Sequence, residues 1–267
     1  MDLKKSKTTH LIAPFLLLLI VLISQINCSI QRIQSDKPMV ILKLDDLWYK
    51  NGQVHEGWQE VMDFLNKEKV VGTIGIVGES LEKGEEDYYN WIKNQHQQGH
   101  EIWNHGYCHC KPTVNGQACR EFRGTDYTYQ LGQLQKAQQL AKEKLGLTLV
   151  SFGAPYNSTD SSTVAALAKI PALKIWLYKE TKIPTNKQIL KRIKEVNIEY
   201  PVHIPDFQQF KAGYEKHKNE PLLVIQGHPR SWTKDRERMD NFKQIITFLK
   251  EEKVRFITPI EYTQLTE

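Results

Sequence analysis

The 267-residue chain has no GxGxxG turn, no phosphate-binding glycine loop and no HExxH helix. It therefore gives no sequence support for dinucleotide binding, phosphoryl transfer or a zinc protease of that type. It also lacks clustered Lys and Arg interleaved with aromatics, so nucleic acid is not an expected partner. No internal repeat or low-complexity linker divides it. Cysteine is scarce, at four residues, and beyond Cys28 only Cys108, Cys110 and Cys119 remain. An odd count leaves one thiol over, and a Cys110 to Cys119 bridge closing a loop is the expected pairing. The alternative, soft zinc ligation beside His109, matches no common structural zinc spacing.

A long membrane-spanning run is missing as well. The longest uncharged stretch, LIAPFLLLLIVLI (Leu11 to Ile23), follows Lys4, Lys5 and Lys7 and contains Pro14. It falls short of the roughly 20 apolar residues that span a bilayer and suits the apolar core of an export signal. Residues 1–28 are read as a signal peptide, with lipid attachment at Cys28 as an alternative fate of the cleavage site. The expected location is outside the cytoplasm, and the only expected membrane contact is this segment or a lipid on Cys28. The net charge of +5 includes the leader's lysines, so the mature domain is only mildly basic.

What remains, residues 36–267, suits one domain. MVILKLDD reads as a buried strand, and HEGWQEVMDFLNKEK carries Trp58, Val61, Met62 and Leu65 at helical spacing. VVGTIGIV follows as a strand. Tyr88 to Gln98 reads as a helix, His100 to Asn104 as a short strand, Tyr127 to Leu145 as a long helix stopped by Gly146, and Leu149 to Gly153 as a strand. Asp160 to Ala168 is then helical, LKIWLY a strand, Asn186 to Val196 helical and Phe207 to Lys218 helical. LLVIQGH, a helix over Asp240 to Glu251 and VRFITP complete the pattern. Such alternation implies an α/β fold with a mainly parallel sheet, here a distorted (β/α) barrel of about seven strands in a single domain.

Three strand ends carry the chemistry. Asp45 and Asp46 end MVILKL, His105 and His109 lie four apart in GHEIWNHGYCH, and His228 ends LLVIQGH. Parallel strands bring their C-terminal ends to one face, where active sites collect. Asp46, His105 and His109 form a three-ligand set of the kind that holds a catalytic zinc and leaves a place for water. A metal at such a site acidifies water, and the reaction also needs a base and an acid. Asp45 and His228 stand in position for those roles. Adjacent carboxylates on a regular strand face opposite ways, so the chain is expected to end the strand and turn here, as Asn51 and Gly52 suggest.

LDDL at 44–47, HGYCH at 105–109, GAPYN at 153–157 and IQGH at 225–228 also resemble, in order, the motifs of the polysaccharide deacetylase family, carbohydrate esterase family 4. The resemblance spans residues 38 to about 260. It implies a distorted barrel and metal-dependent removal of N- or O-acetyl groups from a carbohydrate. It further implies Asp45 as base, His228 as acid, and Asp46, His105 and His109 as ligands of one divalent metal. Zinc is the first choice, with cobalt, nickel or manganese as alternatives. Tyr156, beside Pro155, would offer its peptide N–H to the oxyanion.

The chain departs from that family pattern in the third motif, which ordinarily begins with an arginine orienting the catalytic aspartate. Gly153 stands there instead, so Asp45 needs another partner among Lys43, Arg123 and Arg230. Asn157 replaces the glycine that ordinarily closes the motif, and asparagine tolerates positive φ. Trp176 either lines the acetyl pocket or is a core aromatic. Trp48, Trp103, Tyr107 and Trp232 flank the site and suit stacking on a sugar, and His203 in YPVHIPD borders the groove. A binding-only relative that keeps the metal, and a hydrolase of other C–N bonds, are the alternatives.

Overall fold

The computed structural model describes residues 38–50 and 52–266. The expected export leader and Cys28 lie outside the described residues. Among the described residues no helix is long and apolar enough to cross a membrane.

Strand β1, Met39–Leu47, is buried along almost its whole length and pairs with three other strands of the sheet. Val40, Ile41, Leu42 and Leu44 have no exposed surface, as expected where both faces of a parallel sheet are covered. Strands β2 (Thr73–Ile76), β3 (Glu101–Asn104), β4 (Ser151–Gly153), β5 (Ile175–Leu177) and β6 (Gln188–Leu190) follow outward on one side. Strand β7 (Leu222–Gly227) pairs along the other side of β1, all in parallel. A short β8, Arg255–Phe256, pairs with Met39 and Val40 before β2 takes over that edge of β1 at Lys43.

The sheet curls because one face is packed against itself. Ile41, Trp103, Ile175, Leu177, Leu190, Val224 and Ile257, drawn from β1, β3, β5, β6 and β7 and the residue just after β8, form a single buried cluster. No ladder joins β6 to β7 among the described residues. The Tyr178 hydroxyl, just beyond β5, spans that gap and donates to the carbonyl of Val224 on β7. The barrel is thus nearly closed, by side chains where backbone pairing stops.

Helices cover the outside. α1 (Glu56–Glu68) buries Trp58, Val61, Met62 and Leu65 and starts where the His55 ring accepts from Gly57 N–H. α2 (Glu79–Lys83) and α3 (Glu86–Gln97) follow β2. α4 (Tyr127–Leu140) passes into a π-type turn, Ala141–Leu145, and stops at Gly146 with φ 73°. A positive φ of this size is readily adopted by glycine. α5 (Ser161–Ala168) is closed by a capping box between Asp160 and Thr163. α6 (Phe207–His217), α7 (Arg236–Glu251) and α8 (Pro259–Thr266) complete the layer.

One element differs in type from the sequence expectation. Within Asn186–Val196, expected as helix, Gln188–Leu190 is strand β6, paired to Ile175–Leu177. Ile189, Leu190, Ile193 and Val196 have helical spacing, but the free edge of β5 and the burial of Leu190 inside the barrel outweigh it. The cysteines are a second correction: Cys108 pairs with Cys110, their Cα atoms 5.0 Å apart, and Cys119 is free. Cys119 sits beyond a small hairpin, where its thiol faces the carbonyls of Gln117 and Gly124.

Candidate active site

Asp45 and Asp46 lie inside β1, which runs on to Leu47, so the strand does not end at them. The β1–β2 register slips between Leu44 and Leu47, and Asp46 takes φ 70°. This bulge overrides the alternation of a regular strand and turns both carboxylates to the mouth of the barrel. They are 1% and 2% exposed.

His105 follows β3 and donates from its peptide N–H to the Ile76 carbonyl. Its Nδ1 lies 2.7 Å from the Gly153 carbonyl, which fixes that nitrogen as the donor. Nε2 is then a free lone pair, 3.1 Å from Asp46 Oδ1. His109 Nε2 reaches the same oxygen at 3.0 Å. Gly106 makes the turn between the two histidines at φ 73°, and an added Cβ would meet Glu121 at 2.7 Å. Glu121 holds that turn by accepting from Tyr107, Cys108 and His109 N–H at 2.6, 3.1 and 2.7 Å. Burial raises its carboxyl to about 6, against the pull of those three donors. The Tyr156 hydroxyl donates to the His109 carbonyl at 2.9 Å, and the Cys108–Cys110 bridge brackets the same residue.

The partner of Asp45 is Lys43, two residues earlier on the same strand. Lys43 Nζ lies 2.7 and 2.5 Å from the two carboxylate oxygens. The lysine is fully buried, with its ammonium over the rings of Trp103 and Tyr178. Burial pushes the Asp45 carboxyl up, but the charges of Lys43, His105 and His228 overcome this and hold it below its ordinary value. Gln226 Nε2 donates to the same carboxylate at 2.6 Å and is itself held by Asn157. A Cβ at Gly153 would lie 2.8 Å from Trp103 and 3.2 Å from Lys43 Cε. The glycine leaves the space that the lysine fills. Of the other two cations considered from sequence, Arg230 pairs with Asp46 Oδ2 at 2.9 Å, and Arg123 reaches neither aspartate.

His228 is held by Glu199, which accepts from its peptide N–H and faces its Nδ1, both at 2.7 Å. The same carboxylate accepts from Trp232 Nε1 and His203 N–H. Burial works against the imidazolium, but the bond and charge of Glu199 prevail and raise His228 to about 8. With Nδ1 occupied, Nε2 is the nitrogen left for the cavity. His203 borders that cavity, its ring 4.6 Å from the ring of His228.

One cavity of about 440 Å³ therefore collects Asp45, Asp46, His105, His109, Tyr156, Asn157, Gln226 and His228. Trp48 is half-buried and lines an adjoining cavity of about 510 Å³. Pro155 is buried beneath Tyr156. Trp176 is a core residue with no exposure, packed with Phe122, Phe152 and Leu167, and does not line the site. Trp103 and Trp232 are likewise fully buried, and the Tyr107 hydroxyl is engaged by Glu82 and Lys136. Glu199, Gln226 and Glu121 were not singled out in the sequence. Glu199 and Gln226 carry one signal, an acid or amide beside apolar residues, as in VNIEY and VIQGH, whereas Glu121, in CREFRG, carries none.

Residues 32–173, more than half of the chain, match the sequence model of the polysaccharide deacetylase family. The sequence matches no curated protein. Among solved structures, a putative polysaccharide deacetylase from Mycobacterium smegmatis is similar at TM-score 0.65 and 14% identity, over 85% of this chain and 89% of that one. A family 4 acetyl xylan esterase from Clostridium thermocellum, solved with a cobalt ion, is similar at TM-score 0.59 and 16% identity, over 85% and 91%. A CE4 family pseudoenzyme from Bacillus anthracis is similar at TM-score 0.58 and 17% identity, over 85% and 66%. At these identities the structures speak for the fold alone.

Proposed function

The chain belongs to the polysaccharide deacetylase family, and from that premise we propose that it is an exported, metal-dependent hydrolase removing acetyl groups from a carbohydrate. The observation that carries the reading is the cavity in which a three-donor set, a buried carboxylate and a histidine meet.

The donors suit one divalent cation. Asp46 Oδ1, His105 Nε2 and His109 Nε2 lie within 4.8 Å of one another, and the two short separations are 3.1 and 3.0 Å. Tetrahedral zinc with bonds of about 2.0 to 2.1 Å spaces its ligands by roughly 3.3 Å. His105 Nδ1 is already engaged with the Gly153 carbonyl, the outer bond that commonly orients a ligating histidine. When bound, the cation polarises the acetyl carbonyl and lowers the pKa of water.

The chain's own groups do the rest. Asp45 takes a proton from the attacking water, and Lys43 and Gln226 fix the carboxylate for it. Tyr156 lines the cavity at φ 61°, and its peptide N–H is the donor we assign to the developing oxyanion. His228 gives a proton from Nε2 to the departing amine or alkoxide while Glu199 holds Nδ1. The leader supports export by its pattern of lysines and apolar residues.

A binding-only role is the second reading, motivated by Gly153. The pairing of Asp45 with Lys43 and of His228 with Glu199 argues against it, because carbohydrate binding requires neither pair. Acetate release from acetylated chitin, peptidoglycan and xylan fragments, with the metal removed and restored, tests the proposal. Metal-dependent release supports it; no release from any fragment by the metal-loaded protein overturns it in favour of binding.

A further inference from the structure

The cavity carries positive charge that its catalytic groups do not account for. Arg120, Arg192 and Arg230 line it, from the connections after β3, β6 and β7. Asp45 is matched by Lys43, Asp46 by Arg230 and His228 by Glu199. That leaves Arg120 and Arg192. The one other carboxylate of the lining, Glu180, forms no ion pair with either among the described residues.

Both guanidinium groups are positioned by aromatic faces, Arg192 at 5.6 Å from the Tyr178 ring and Arg120 at 5.2 Å from the Tyr156 ring. Such stacking steadies the plane of a guanidinium and leaves its N–H donors unused. Arg192 Nε is buried and has no hydrogen-bond partner. Buried donors are ordinarily satisfied, so an acceptor belongs here. The adjoining cavity shares Asp46 and Arg230 with this one and adds Lys50 and Lys83 beside Trp48. Arg120, Arg192, Arg230 and Lys50 thus reach one cleft from four separate strand-to-helix connections, while Lys83, at the end of α2, is paired with Glu79.

A neutral glycan would leave Arg120 and Arg192 without counter-charge, whereas a planar fork of donors matches a carboxylate or phosphate through paired bonds. We propose that the cleft selects an acidic glycan, whose oxyanion substituent near the acetylated sugar pairs with Arg192 and Arg120. The acetyl group in this statement rests on the deacetylase reading; the acidic substituent does not.

The test uses the full chain and three acetylated oligosaccharides of equal length: one neutral, one bearing a uronic acid and one bearing a phosphate ester. Binding is measured by calorimetry and turnover by acetate release. At least one acidic ligand is expected to bind about tenfold more tightly than the neutral one, the size of one charge-assisted contact. The advantage should shrink as salt rises from roughly 0.05 to 0.5 M. Arg192→Gln and Arg120→Gln should each lower the acidic-to-neutral ratio by about the same tenfold factor, with the melting temperature as a check on folding. The carboxylate and phosphate arms tell which oxyanion is preferred. Equal affinity for neutral and acidic ligands, or an acidic preference indifferent to both substitutions and to salt, overturns the inference. Acidic binding that depends on the arginines, without acetate release from any ligand, upholds it while overturning the deacetylase reading. Turnover of all three with no acidic preference does the reverse.

Discussion

Lys43 Nζ grips both oxygens of Asp45, at 2.7 and 2.5 Å, from two positions earlier on the same bulged strand. The pair is sealed under Trp103 and Tyr178, and it fits because residue 153 has no side chain. The orienting cation of the candidate base thus arrives from the base's own strand.

Lys43→Met is expected to act on the base and on the fold together. Removing one partner of a buried ion pair costs about 3 to 5 kcal/mol, because the other charge is stranded. Loss of base positioning should lower kcat by roughly 10² or more, the scale of general-base catalysis. The acid limb of the pH–kcat/KM profile should also move to higher pH, since Asp45 loses the largest charge opposing its burial. Lys43→Arg should recover part of the rate. A profile unchanged in Lys43→Met would show that the lysine only fills space.

Gly153 gives a second, coupled test. Gly153→Arg in the native background drives a side chain into Trp103 and Lys43, and overpacking of this kind typically costs about 1 to 3 kcal/mol or more. In a Lys43→Ala background half of that clash is gone and a guanidinium becomes available to Asp45. The double variant is therefore expected to be more stable and more active than the two single effects combined predict. Additive denaturation free energies would refute the shared-space account.

The parallel barrel was legible because strand β1 and its neighbours are short apolar runs separated by helical spacing, and both signals are local. The meeting of Asp45, Asp46, His105, His109 and His228 in one cavity was legible for a related reason: the C-terminal ends of parallel strands share a face. Strand β6 was not, since NKQILKRIKEV has helical periodicity and only the unpaired edge of β5 makes it extended. The bulge at Asp46 was not either, because it is a mismatch between two strands. Glu199 lies 29 residues from His228 along the chain and is found only when both are folded onto it. Trp103, Trp176 and Trp232 are equally silent in sequence about which way they point, and all three point into the core.

Glu101 makes the stability of the fold depend on pH. It is buried on β3, accepts from the Ser151 hydroxyl and from Ile260 N–H, and burial outweighs those donors to raise its carboxyl to about 7 from an ordinary 4.5. The folded state therefore binds this proton more tightly than the unfolded chain does. Its contribution is complete below pH 4.5 and is lost as pH rises through about 7, a difference of roughly 3 kcal/mol at most. Urea unfolding at pH 5 and pH 8 checks this: Glu101→Gln should flatten the native difference. Identical pH dependence in both proteins would refute it.

His228 should set the alkaline limit of activity. As the proposed acid it must be protonated, and its value of about 8 means that kcat/KM falls as pH rises through that point. Glu199→Gln keeps the shape of the pair but removes the charge that overcomes burial. The alkaline limb should move down by about one pH unit, and kcat should fall because Nδ1 is no longer fixed. Since Glu199 also serves three other donors, the comparison is made on protein shown to be folded at the assay temperature. An alkaline limb that stays in place would assign the proton donor elsewhere.

Asp46 is the one carboxylate shared by both candidate ligand histidines. Asp46→Ala should abolish stoichiometric metal uptake and activity together, while removing Asp45 should spare uptake and abolish only turnover. Chelation of the native protein should likewise stop activity, with zinc or cobalt restoring it. Metal should also raise the melting temperature of the native protein, because a ligand at 100 times its Kd adds about 2.7 kcal/mol to the folded state. The Asp46→Ala variant should show no such rise, and it should lose the Arg230 contact as well. Metal content and melting temperature are read without any substrate, so they test the ligand set independently of the reaction. Full metal uptake by Asp46→Ala would move the metal site to other residues.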